Sequence, residues 1–257
     1  LINDILDFSK IEAGQIQLEN EPFKITALVN DIADSMIIHS HQQHVQTAIA
    51  VDPRLKGELI GDSTRLRQIL INLTDNALKF TKRGSVVLSI TRTSDESGPV
   101  GVRFIVQDTG IGIDTKEQDR MFGEFQQVDS SDSTLYSGTG LGLSICQGLC
   151  AEMGGTITLS SEIGKGSSFE VNIPFSKNIN TAEIAPAPAS LENTRILLVG
   201  LEPLVIQAMN ENLDDRGPHI QMEKTIAKAI PHINAGVDAI FIDASLSEVD
   251  LAGLSAR

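Results

Sequence analysis

At 257 residues the chain is long enough for one or two domains with a sizeable hydrophobic core. Its formal net charge of −14 argues against non-specific binding to nucleic acid or to an anionic membrane surface, since both need a basic face. The two cysteines are too few for a disulfide framework, no apolar run approaches the ~18 residues of a membrane span, and no signal peptide is present.

In chain order, residues 1–14 read as a helix with Ile2, Ile5 and Leu6 on its apolar side and Gly14 as the stop. The first residue, Leu1, falls in mid-helix, so the chain reads as a piece of a longer protein. Gln15 to Glu19 alternates like a strand. Phe23 to about His41 carries Leu28, Val29, Ile32, Ala33 and Met36 at helical spacing, and Val45 to Val51 is a second strand. Asp62 is placed to cap a helix that runs to Phe80. On that helix Leu66, Ile69, Leu70, Leu73 and Ala77 share an apolar stripe. Asn72, Asn76 and Lys79, at i, i+4 and i+7, share the opposite one.

Ser85–Ile90 and Val100–Gln107 read as a hairpin pair, with Asp108 at its end followed by Gly110 and Gly112. Thr115 to Phe122 is a short helix, and residues 123–138 are polar and Ser-rich, the composition of a lid. Gly138, Gly140 and Gly142 precede a helix from Leu143 to Met153. Its Cys146 and Cys150, one turn apart, read as small buried side chains. Strands at Thr156–Ser160 and Ser167–Pro174 follow. Helices on one face of a mostly antiparallel sheet define a two-layer α/β sandwich. Residues 177–193, with Pro186 and Pro188 and no periodicity, are a linker. From 194 to 257 a new unit begins with the apolar strand Arg195–Val199, continues through a helix and reaches Ala239–Asp243. That alternation suits a partial doubly wound, flavodoxin-like fold.

Three stretches carry the chemistry. The stripe of two amides and one ammonium suits a ligand that presents a divalent metal and phosphates. Asp108 is placed to accept a hydrogen bond from an exocyclic amine, the group that separates adenine from guanine. Glycines ahead of a helix leave N–H groups and a positive dipole end for anions. In this order they describe an ATP pocket without a P-loop. Other readings exist for each part: exposed helix amides, tight turns of an unrelated α/β domain, or a simple solvated Lys79. A dinucleotide site fits less well, because G-T-G-L-G follows a polar loop rather than a strand. His39, His41 and His44 read as a polar helix end rather than a metal cluster.

At these residues the chain resembles the ATP-binding catalytic domain of a sensor histidine kinase of the GHKL (Bergerat) superfamily, hybrid subclass. I-L-I-N-L-T-D-N-A-L-K-F-T resembles the family's asparagine box, D-T-G-I-G at 108–112 and G-T-G-L-G-L at 138–143 its glycine boxes, and F-G-E-F-Q-Q-V-D at 122–129 its phenylalanine box. E-I-G-K-G-S-S-F at 162–169 resembles the last glycine turn. L-I-N-D-I-L-D-F-S-K-I-E-A-G resembles the end of a dimerisation and phosphoacceptor hairpin, giving segments 1–14 (hairpin), 15–176 (catalytic domain), 177–193 (linker) and 194–257 (receiver).

The resemblance implies transfer of the γ-phosphoryl group of ATP to a histidine. ATP and Mg²⁺ are the implied cofactors. Asn72 is the implied catalytic residue, and Asn76 binds Mg²⁺ through its side-chain oxygen. Asn76, Lys79, Phe80, Asp108, Gly110, Gly112, Gly138, Thr139, Gly140, Leu141 and Gly142 hold the nucleotide. It also implies a homodimer formed through the hairpin, a response regulator or phosphotransfer domain as partner, no nucleic acid, and a cytoplasmic segment whose parent is anchored in the plasma (inner) membrane. ATPases of the superfamily such as gyrase carry Glu at the position of Asn72, to activate water; a neutral amide does not.

Three departures stand out. None of the five histidines lies in the family's H-E-x-R-T-P context, so the acceptor must come from elsewhere. Thr134, Leu135 and Ser137 replace two basic residues and a glycine of the lid. Asp243 matches a receiver's phosphoacceptor, but Gly200 and Leu201 stand where receivers carry an acidic pair, so the receiver reads as degenerate and Asp243 as vestigial. A non-catalytic, nucleotide-binding signalling module is therefore the alternative reading, with a GHKL-type ATPase third.

Overall fold

The computed structural model describes residues 2–43, 45–55, 57–93, 99–118, 120–123, 140–177, 190–213 and 217–243. The chain divides into two compact units, Leu1–Ile184 and Ala185–Arg257.

The first unit opens with α1 (Ile2–Glu12), β1 (Glu21–Lys24), α2 (Ile25–Gln43), β2 (Val45–Val51) and β3 (Glu58–Gly61). It continues with α3 (Ser63–Phe80), β4 (Gly84–Arg92), β5 (Val100–Asp108) and α4 (Thr115–Gln118), and closes with α5 (Gly142–Glu152), β6 (Thr156–Glu162) and β7 (Gly166–Lys177). The strands form one mixed sheet in the order β1-β3-β7-β5-β4-β2, with β6 also pairing with β7. Among the described residues of this sheet, β2 and β4 run parallel and the other pairings are antiparallel.

Alternation along β5 explains why helices cover one side of this sheet. Val102, Phe104 and Val106 are fully buried, whereas Gln107 is exposed and Arg103 and Ile105 lie between. The apolar stripe of α3 meets that face: Leu66, Ile69, Leu70 and Leu73 are completely buried and Ala77 nearly so. Each such side chain contributes on the order of 2 kcal/mol of burial. Asp62 caps α3 by accepting the Arg65 N–H at 2.9 Å, and its other oxygen accepts the Glu19 N–H at 3.0 Å. The helix is thereby fixed at its start, and its polar stripe is aimed away from the sheet.

Several local expectations are corrected. Residues 15–20 form no strand, and the ladder begins at Glu21. Ile16 and Leu18 do pack on the core, so the alternation there reports one buried side of an extended segment without a pairing neighbour. The helix expected from Phe23 begins at Ile25, because Phe23 is taken up in the ladder opposite Leu59. The helix expected to reach Phe122 stops at Gln118, and Phe122 instead packs, half-buried, against the core. Strand β7 runs to Lys177, which pairs with Leu59, so the sheet ends one residue inside the expected linker. The lid residues 124–138, Phe125 and the side chains of His39, His41 and His44 lie outside the described residues.

The second unit holds β8 (Arg195–Val199), α6 (Pro203–Leu213), β9 (His219–Glu223), α7 (Ile226–Asn234) and β10 (Ala239–Ile242). Its three strands are parallel, in the order β10-β8-β9. Central β8 is an unbroken apolar run, with Ile196 to Val199 all buried, as a strand flanked on both edges demands. Asp243 follows β10, and its N–H donates to the carbonyl of Val199 at 3.0 Å. No described helix in either unit is long and apolar enough to cross a membrane.

Candidate functional site

Helix α3 places Asn72, Asn76, Lys79 and Phe80 half-buried on the side opposite its core stripe. Two of these amides form a directed chain. Asn72 Nδ2 donates to the Gly142 carbonyl at 2.6 Å and to Cys146 Sγ at 3.3 Å, which uses both of its protons. Its Oδ1 is left to accept from Asn76 Nδ2 at 3.3 Å. With Nδ2 turned inward, the oxygen of Asn76 is turned the other way. Lys79 Nζ lies 5.3 Å from the centre of the Phe80 ring, within cation–π range.

The Gly142 that Asn72 holds is the first residue of α5. Leu141 caps that helix from buried backbone, with no side-chain hydrogen bond to its N–H groups. Gly140 immediately before it has φ +70°. A methyl group on Gly142 would lie 2.7 Å from the Asn72 amide, so this approach requires glycine. Gly138 and Thr139 lie outside the described residues.

Asp108 ends β5 with only 6% of its surface exposed. Its Oδ1 accepts the Gly110 N–H at 2.8 Å. Burial raises its pKa, and hydrogen bonds from the Gly110 N–H and from the backbone and hydroxyl of Ser167 work in the opposite direction. The carboxylate is therefore kept by donors rather than by a cation. Ser167, buried at the start of β7, was not among the sequence-based candidates. It lies inside the E-I-G-K-G-S-S-F stretch, but only the pairing of β5 with β7 brings it beside Asp108.

The turn after Asp108 is pressed backbone to backbone against the β6–β7 hairpin. Gly112 has φ +69°, and a methyl group there would strike the Glu162 carbonyl; Gly166 has φ +99° and abuts the Asp108 carbonyl in the same way. The Gly164 N–H donates to the Ile111 carbonyl at 2.7 Å. Gly110 leaves no room either, since a methyl group would meet the Phe80 carbonyl and Asp108 Oδ1.

Burial pushes the Cys146 thiol up to about 12 and the Cys150 thiol to about 11. Both are buried and neutral near pH 7, and Cys146 acts as an acceptor for Asn72. Among the described residues no group of three or more His, Cys, Asp or Glu could hold a metal ion. The site thus joins an amide stripe from α3, the start of α5 and a buried carboxylate from β5.

Residues 61–177 match the family model described as histidine kinase-, DNA gyrase B-, and HSP90-like ATPase. Two curated relatives are similar to the chain as follows. The sensor histidine kinase GacS of Pseudomonas protegens is 35% identical over 99% of this chain and 27% of its own length. The signal transduction histidine-protein kinase BarA of Escherichia coli is 36% identical over 77% of this chain and 22% of its own. The chain thus spans about a quarter of each. Among solved structures, full-length ShkA in complex with AMPPNP aligns with a TM-score of 0.75 and 33% identity, over 94% of this chain and 48% of that one.

Proposed function

We propose that residues 15–176 are the ATP-binding catalytic domain of a sensor histidine kinase, and that they transfer the γ-phosphoryl group of ATP to a histidine supplied by another segment or chain. The observation that carries this reading is the pairing of a buried, donor-held Asp108 with the directed amides of α3. Asp108 accepts the adenine 6-amine. Gly110 and Gly112 let the turn lie against the base, and Phe80 packs on the base or ribose. Lys79 approaches the phosphates, while Gly138, Thr139, Gly140, Leu141 and Gly142 surround them with backbone N–H groups. That the similar ShkA was solved in complex with AMPPNP supports nucleotide binding.

The donor set fits Mg²⁺. One outward amide oxygen on Asn76, with no acidic cluster among the described residues, is the arrangement expected where the ion is held mainly by phosphates and water. When bound, the ion neutralises charge developing on the phosphates. Asn72 bears no ionisable group, which favours transfer to a neutral imidazole over activation of water. In the transfer a nitrogen lone pair forms the N–P bond as the bond from phosphorus to the ADP oxygen breaks. ADP leaves, and the imidazole proton passes to solvent.

Residues 1–14 are read as the end of a dimerisation hairpin and 177–193 as a linker. The parallel unit within 194–257 is read as a degenerate receiver. Its strand order supports this reading, and Asp243 at the carboxyl edge is its vestigial acceptor. A homodimer, a response regulator or phosphotransfer domain as recipient, and a membrane-anchored parent belong to the same proposal. Thr134 and Leu135, in place of lid cations, favour one second reading: a module that binds nucleotide without transferring phosphate.

Labelled ATP tests the choice. Incubation with a supplied acceptor hairpin should place acid-labile label on its histidine. Binding without transfer would support the second reading, and steady release of free phosphate would overturn both.

A further inference from the structure

Strand β6 contributes a side chain, Ser161, that contacts three segments around Asp108 without contacting Asp108 itself. Ser161 Oγ accepts the Ile113 N–H at 2.8 Å and has two acceptors within reach of its one proton, the Gly166 carbonyl at 2.8 Å and Ser167 Oγ at 3.0 Å. The neighbouring amide reinforces this junction: Gln118 Nε2 donates to the Ser161 carbonyl at 2.8 Å and to the Ile113 carbonyl at 3.0 Å. One hydroxyl therefore joins the turn that follows Asp108, the hairpin that abuts it and the serine that donates to it.

Each hydroxyl has one proton, and this restricts the pattern. If Ser167 donates to Asp108, its oxygen is free to accept from Ser161. If Ser161 donates to Gly166 instead, the close Ser161–Ser167 pair keeps a proton between the oxygens only when Ser167 turns its own toward Ser161, away from Asp108. The direction of the Ser161 proton thus decides whether Ser167 serves the carboxylate. Partly buried networks of this kind are sensitive to the loss of a single member.

We infer that Ser161 is a positioning residue for recognition of a 6-aminopurine: through Ser167 and Ile113 it holds Asp108 and the adjoining turn in the geometry that accepts the exocyclic amine. This rests on the assignment of Asp108 to the adenine and adds to it the residue that sets its selectivity over a 6-oxopurine. Ser161 itself does not touch the base.

The test is equilibrium binding of Mg·ATP and Mg·GTP to the full chain and its variants. Ser161→Ala should weaken ATP roughly tenfold, the size of one lost buried hydrogen bond, and leave GTP within about twofold, so discrimination shrinks. Ser161→Thr, which keeps the hydroxyl, should restore both values. Should Ser161→Ala not fold, Ser161→Cys keeps the volume with a much weaker donor and carries the same expectation. ATP binding unchanged in Ser161→Ala, or ATP and GTP weakened equally, overturns the inference. The parent assignment is judged separately by Asp108→Asn: if that variant binds ATP normally, the adenine site itself is misplaced.

Discussion

Asn72 and Gly142 are seventy positions apart, yet the amide of one donates to the carbonyl of the other at 2.6 Å, tying the polar stripe of α3 to the first residue of α5. This bond makes the proposed nucleotide site a single object. It orients Asn72, and through it Asn76, while fixing the start of α5, where the proposal puts the phosphates.

Gly142→Ala should accordingly damage binding more than stability. The new methyl group meets the movable end of Asn72 rather than backbone, so unfolding free energy should fall by no more than about 1 kcal/mol. Displacing that amide releases Asn76, and Mg·ATP affinity should fall at least roughly tenfold. Asn76→Asp should be worse, because it sets a carboxylate against the Asn72 oxygen and the phosphates. Calorimetric titration beside chemical denaturation checks both.

Asp108 should give ATP binding an unusual acid limb. Its pKa is raised, so the charged form to which the proposal assigns the amine is lost as pH falls through a value above the ordinary carboxylate range. The linkage runs the other way for the empty protein. The folded state takes up this proton more readily than the unfolded chain, so Asp108 contributes increasing stability as pH falls from the raised value to the ordinary one. Asp108→Asn should remove this contribution to both trends and weaken ATP by about 1.5–3 kcal/mol. Affinity and unfolding curves between neutral and mildly acidic pH read the two effects.

The turn glycines should separate by what surrounds them. Gly112→Ala and Gly166→Ala combine positive φ with a backbone clash and should each cost roughly 3 kcal/mol or more. Gly164 also has positive φ but nothing within 4 Å, so Gly164→Ala should cost only about 1–2 kcal/mol. Urea unfolding of the three variants gives the comparison.

Cys146 and Cys150 should resist alkylation in the native state at pH 7, since both thiols are buried and their pKa values lie near 12 and 11. Mass spectrometry after iodoacetamide treatment should find them unmodified until denaturant is added. Rapid native labelling of Cys146 would mean that the α3–α5 contact opens readily.

The sequence made most of the first unit legible, because period and chemistry coincide there. Helix α3 has an apolar and a polar stripe in register, a capping Asp62 and no competing signal. What escaped depended on pairing across distance. Strands β1 and β3 have four residues each and little alternation of their own; they exist because they pair with each other and β3 adds to the end of β7. In the second unit β9 was overlooked for a related reason: His219–Glu223 mixes polar and apolar residues at an edge, and only its ladder with β8 makes it a strand. At the site, Asn76 and Asp108 could be named from local pattern. Ser161 could not, and Ser167, although inside the stretch that resembles the last glycine turn, carried no role of its own, since serines in a strand become a hydrogen-bond relay only after β5, β6 and β7 are laid side by side.

The most direct test is a crystal structure of the chain soaked with Mg²⁺ and a non-hydrolysable ATP analogue. The account predicts the adenine 6-amine within hydrogen-bonding distance of Asp108, with Asn76 facing the ion and the phosphates at the start of α5. A nucleobase seated away from Asp108 would contradict it.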